Sequence, residues 1–243
     1  MCRLVRQPEP VSERAIIEAA WSAVISTVAK GEASGAATAV AGAVAVGLLQ
    51  TAAPAALLAV HHGVAGSDAS TASLIAALRE RDWIGDPELI ELLTAAATGT
   101  GTGRGRLEVD LDGLGDVLGD QRGGYLDLTT GTAWPLELIE LGQVDDLDPD
   151  DDPDDDPDRW LDIPGEGSRD AWRDMADFTR ELTDPRTRAD LEAALDGKGA
   201  FRHFQAALDR HETYRVHWRV FSTERLTGRA RAWLARQGYD AVP

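Results

Sequence analysis

Between Ala200 and Arg236 the sequence carries eight arginines: Arg202, Arg210, Arg215, Arg219, Arg225, Arg229, Arg231 and Arg236. Only three acids oppose them, Asp209, Glu212 and Glu224, which leaves +5 before the histidines are counted. Guanidinium groups at that density can grip phosphates or carboxylates through paired N–H donors. Just upstream, Gly197-Lys198-Gly199 leads into "AFRHFQAAL". A lysine beside the free amides of a helix start is a second anion-binding arrangement. The binding candidates are therefore Lys198, Arg202, Arg215, Arg219, Arg225 and Arg229. The competing reading is a solvated face whose arginine stems cover neighbouring tryptophans.

Carboxylates form the other chemical group. Asp127 and Asp162, in two "LD" segments, are the best acid–base pair the chain offers, with Lys198 or His203 as helpers. Carboxylates are so abundant that such a pairing has little weight. Strand aspartates facing solvent account for both. Ten aspartates crowd residues 145–158, without the spaced glycines of a calcium loop. His61 and His62 are adjacent, so they point to different helix faces, and no metal site is expected there. "TGTGTGRG" at 98–105 lacks the lysine ending of a phosphate loop. There is no nucleophile elbow, no HExxH and no GxGxxG after a strand. No cofactor is expected, and the balance leans against an enzyme.

The whole chain is acidic, at −18 over 243 residues. Such a chain repels nucleic acid and anionic membranes. A single cysteine, Cys2, excludes an intramolecular disulfide and fits a reduced, cytoplasmic setting. Residues 1–10 are followed by an amphipathic segment, not by the apolar core of a signal peptide.

The elements that must position these groups follow from periodicity. Ile17, Trp21, Val24 and Val28 mark an amphipathic helix over 11–29, with Ser12 as cap and Gly31 as stop. The uncharged run 33–67 is alanine-rich and divided by Pro54, so it reads as a buried helical pair that does not span a membrane. Two short helices follow over 72–96, the second capped by Asp86 with Pro87 behind it.

Beyond a Gly/Thr linker at 98–106 the period changes. "LEVD" predicts a strand, then a helix capped by Asp110 or Asp112. "GGYLDLTTGTAW" predicts a hairpin turning at Thr130-Gly131, and "RWLDIP" a further strand. Residues 168–238 read as helical, with Trp172, Met175 and Leu182 on one inner face and Leu191 and Leu195 on another. Gly197 should take a left-handed conformation, with Phe201, Phe204 and Leu208 buried behind it. From Tyr214 onward two apolar lines diverge by about 120°, which predicts a break near Ser222–Glu224.

The expected fold is α+β: a small antiparallel sheet packed against C-terminal helices, preceded by an alanine-rich N-terminal helical region. The expected organisation is a helical region over 1–97, the linker, and an α+β domain over 107–243 with a disordered acidic loop at 145–158.

"GGYLDLTTGTAWP", "WLDIP", "AWRDMADF", "GKGAFRHFQAAL", "HWRVF" and "ARAWLARQG" occur in that order. The series resembles a bacterial family of unknown function, uncharacterised protein family 0158, over about residues 107–238. The resemblance implies an α+β domain in a bacterial cytosol and supplies no catalytic residue. The leading functional expectation is a non-catalytic binding or regulatory module that contacts a protein partner. The alternatives are nucleic-acid binding through the Arg202–Arg236 surface, masked by the aspartate run, and an enzyme with a site near the hairpin.

Overall fold

The computed structural model describes residues 12–144, 153–165 and 167–242. Five helices come first: α1 (Glu13–Lys30), α2 (Ala36–Ala45), α3 (Ala53–His61), α4 (Ser67–Arg81) and α5 (Asp86–Thr98). Then follow β1 (Gly105–Glu108), α6 (Leu111–Gly119), β2 (Gly124–Asp127), β3 (Thr132–Pro135), α7 (Leu136–Glu140) and β4 (Trp160–Ile163). The chain closes with α8 (Ser168–Glu181), α9 (Pro185–Leu195), α10 (Ala200–Leu208), α11 (Glu212–Arg236) and β5 (Tyr239–Val242).

The N-terminal helices form where their caps and small residues allow. The Ser12 hydroxyl accepts from the Ala15 amide, and Gly31 ends α1 at φ +62°. α2 and α3 bury alanines on their inner faces, which lets the helix axes approach closely. Pro54 falls in the first turn of α3, where its missing N–H costs nothing. Among the described residues no helix is long and apolar enough to cross a membrane.

The hairpin and third strand form one antiparallel sheet in the order β3-β2-β4. Its register pairs Tyr125 with Trp134 and with Asp162, and Asp127 with Thr132 and with Trp160. β1 does not join that sheet. It pairs in parallel with β5, a strand the periodicity did not predict. The segment before β1 is tethered: Arg104 reaches Glu91 and Asp240, both at 2.7 Å, and Thr102 donates to Asp240. Of the aspartate run, residues 145–152 lie outside the described residues. Residues Pro153–Asp155 make a single 3-10 turn in which Pro153 is buried. The Tyr125 hydroxyl donates to Asp154 there at 2.8 Å.

Three apolar clusters share α11. Val216 and Val220 enter the N-terminal cluster, Ala230, Trp233 and Leu234 pack with α6 and the strands, and Phe221 joins the α8–α10 cluster. This corrects the expected break at Ser222–Glu224. α11 is continuous over 25 residues, roughly 37 Å. Its apolar lines diverge because successive turns face different neighbours.

Two aromatic assignments are also corrected. Gly197 and Gly199 do take positive φ, +79° and +85°. But α10 starts at Ala200, so the inward positions are Ala200, Phe204, Ala207 and Leu208. Phe201 lies one position round the helix and stays 42% exposed. Trp172 is likewise 43% exposed, because the packed stripe of α8 begins one turn later at Met175. Phe204→Ala should therefore cost about 3–5 kcal/mol, whereas Phe201→Ala should stay within about 0.5 kcal/mol. Urea unfolding of the two variants checks this, and equal losses would contradict the packing described.

Candidate functional site

The deepest polar cluster lies where α11 crosses the loop before α3 and the turn between α4 and α5. Glu224, 1% exposed, accepts from the Gln50 amide at 2.6 Å, the Thr51 amide at 2.9 Å and the Thr51 hydroxyl at 2.8 Å. Arg81 joins it at 2.8 Å and binds Asp86 through Nη2 and Nε at 2.6 and 3.0 Å. Asp86 also accepts from the Trp83 amide and from Gln50 Nε2. It is the first residue of α5, not its cap; Gly85 is the cap, at φ +89°.

Such an approach requires two glycines. A Cβ on Gly85 would stand 2.1 Å from the Gly228 carbonyl oxygen, and one on Gly228 would stand 2.3 Å from that of Ile84. Burial pulls the Arg81 guanidinium down, but Asp86 and Glu224 outweigh it and hold it above its ordinary value. Both carboxylates are already saturated with donors, so this cluster acts as a lock between helices.

Arg231 departs from that pattern. Its Nε donates to Gln50 Oε1 at 2.8 Å, while Nη1 is buried without a partner. Burial lowers its pKa to about 10, against the pull of Glu224, Asp240, Glu88 and Asp86. It lines a cleft of about 220 Å³ with Trp21, Leu57, Leu111, Asp112 and Thr227.

The six binding candidates fall into three places. Arg225 lies over Trp83 at 4.4 Å and pairs with Asp177 at 3.1 Å. Arg229 pairs with Asp174 at 2.9 Å. Burial of that aspartate raises its pKa even so, outweighing Arg229 and Arg225. Arg215 and Arg219 are exposed on the first half of α11, Arg215 3.5 Å from Asp209 and Arg219 over Trp21 at 5.2 Å. Lys198 and Arg202 are exposed at the α9–α10 corner. The arginines therefore do not gather on one face, and Arg231 leaves the surface altogether.

On the sheet, Asp162 faces solvent as expected, but Asp127 does not: it is 2% exposed. Arg159 reaches it at 2.8 Å, and the Thr129 amide donates to it at 2.8 Å. Burial raises this carboxyl, yet Arg159 and the Thr129 and Thr130 amides prevail and hold it below the ordinary range. A carboxylate so held is a poor general acid. Lys198 and His203 belong to the corner, whose lining contains no hairpin residue.

That corner holds a groove. Trp172 and Phe201 line it together with Arg169, Gly197 and Gly199, and it encloses about 380 Å³. The first turns of α8 and α10 both open onto it.

Periodicity missed Gln50, Asp86, Glu224 and Arg231. The legible trace was the spacing of Phe221, Glu224, Gly228 and Arg231 along one helical stripe, with charges and a glycine where apolar residues belong.

Two outcomes follow. Glu224→Gln should cost about 3–5 kcal/mol in urea unfolding, because it leaves Arg81 buried and half-paired. A loss below about 1 kcal/mol would refute the lock. Asp127 has a depressed folded pKa, so its contribution is complete above the unfolded value near 4 and is lost as pH falls through the folded one. Asp127→Asn should flatten the decline of melting temperature below about pH 4; an unaltered acid limb would contradict the pairing.

Compared with known proteins, the chain matches the Uncharacterised protein family (UPF0158) over residues 110–242. No curated protein and no solved structure matches it.

Proposed function

The chain belongs to that uncharacterised family, and we propose that it is a non-catalytic binding module that contacts a protein partner through the groove between α8 and the α9–α10 corner. One observation carries this reading: Trp172 and Phe201, the two large aromatics among its exposed apolar side chains, line the same groove. Exposed aromatics in one concave place are a mark of interface anchors. Arg169 lines the groove, and Lys198 and Arg202 flank it. That set suits a peptide segment with an apolar residue beside an acidic one. The reading includes a cytoplasmic setting, supported by the lone cysteine.

Nucleic-acid binding has less support. Of the eight arginines, Arg231 is buried, and Arg225 and Arg229 are held by Asp177 and Asp174. An enzyme with a site near the hairpin would need a titrating group there, and Asp127 is held ionised by Arg159.

The test is affinity capture from native cell extract with three forms: the parent, Trp172→Ala/Phe201→Ala, and the parent lacking residues 145–158. The double variant should melt like the parent yet retain at least about tenfold less of a protein bound stoichiometrically. Equal retention by parent and double variant would reject the groove. Retention of nucleic acid instead, rising in the deletion form and falling steeply with salt, would favour the masked arginine surface.

A further inference from the structure

We propose that the cleft between α1, α3, α6 and α11 binds a free α-amino acid with an apolar side chain, its carboxylate on Arg231 and its ammonium on Asp112. The site is separate from the α8–α10 groove and does not depend on the reading given for it.

Arg231 is 5% exposed, lines the cleft, and has a buried Nη1 without a partner. Nη1 is closed off, so a ligand meets only the part of the guanidinium that borders the cleft, and among the described residues no carboxylate pairs with Arg231. One turn earlier on the same helix face is Thr227, which donates to Asp112 at 2.9 Å. Asp112 and Asp110 line the same cleft at the start of α6, and among the described residues neither has an ion-pair partner. Nearby Asp116 is raised by burial and then by repulsion from Asp112 and Asp110. That end of the cleft is rich in uncompensated negative charge.

The two ends therefore ask for opposite charges. A simple anion would meet Asp110 and Asp112, with Glu224, Asp86 and Asp240 also acting on Arg231. A simple cation would meet the guanidinium. A zwitterion satisfies both.

Size and lining agree. Between the ends, Trp21, Val28, Leu57 and Leu111 present an apolar wall. The volume of about 220 Å³ is below that of sites for drug-sized ligands, about 300–1,000 Å³, and suits a single residue.

The test is calorimetric titration of the full chain with L-leucine and L-phenylalanine. Leucinamide lacks the carboxylate and 4-methylpentanoate lacks the ammonium, so they serve as probes of each end. At least one of the amino acids should bind, and the two truncated analogues at least about tenfold more weakly. Asp112→Asn and Ile25→Asp are the variants of choice: both positions are exposed, Ile25 at 55% on the lip of the cleft. Each should melt like the parent and bind at least about tenfold more weakly. No heat from either amino acid up to about 10 mM would overturn the proposal. Equal binding of 4-methylpentanoate and leucine, or undiminished binding by both variants, would overturn it too.

Discussion

A glutamate that must be buried organises this fold. Glu224 lies at the middle of the longest helix, where no solvent reaches it, so the protein itself has to solvate the charge. Two backbone amides, a hydroxyl and a guanidinium do so, and all four come from the N-terminal half. Their convergence dictates that the loop before α3 and the α4–α5 turn press directly on α11. The Gly85–Gly228 contact is the geometric result. Apolar packing fixes which faces meet; the carboxylate fixes where along the helix they meet.

This has a bearing on how the family-matching part relates to the rest. The match begins at residue 110, whereas Gln50, Thr51, Arg81 and Asp86 precede it. In this chain a buried charge of the matched region is completed by residues outside it. Val216 and Val220, on the same helix, also pack into the N-terminal cluster. The alanine-rich front end is thus part of the solvation shell of α11. Its small side chains serve that role, since they let α2 and α3 bring the donating loop close.

Much of the fold was legible because local signals agreed with tertiary packing. Ser12 and Gly31 bound α1, Asp110 caps α6, and Thr130-Gly131 turns the hairpin. What was illegible depended on more than one neighbour at a time. α11 looks broken only if a helix is assumed to serve a single core. β5 has no period of its own, and its partner is β1, which lies just ahead of the matched region. Phe201 and Phe204 are both aromatic, and only the start of α10 decides which is buried. The candidate sites were less legible still. Counting arginines cannot separate Arg231, in the interior, from Arg219, at the surface. Burial and ion pairing divided the eight into groups with different chemistry.

The parallel pairing of β1 with β5 also sets an order of assembly. Gly105 meets Tyr239 and Glu108 meets Val242, so the ladder joins segments roughly 130 positions apart and must wait for nearly everything between them. Helix pairs such as α9 and α10, and the hairpin, close short loops and can form early. The β1–β5 ladder is short, four residues a side, and gains little until α6 and α11 are in place beneath it. By sequence separation it is a late seam to close. Transient opening would release Asp240 from Arg104 and Thr102. Leu107 and Ala241 belong to the apolar cluster beneath α6 and α11, so opening the seam would loosen that cluster, while the other two contain no residue of β1 or β5.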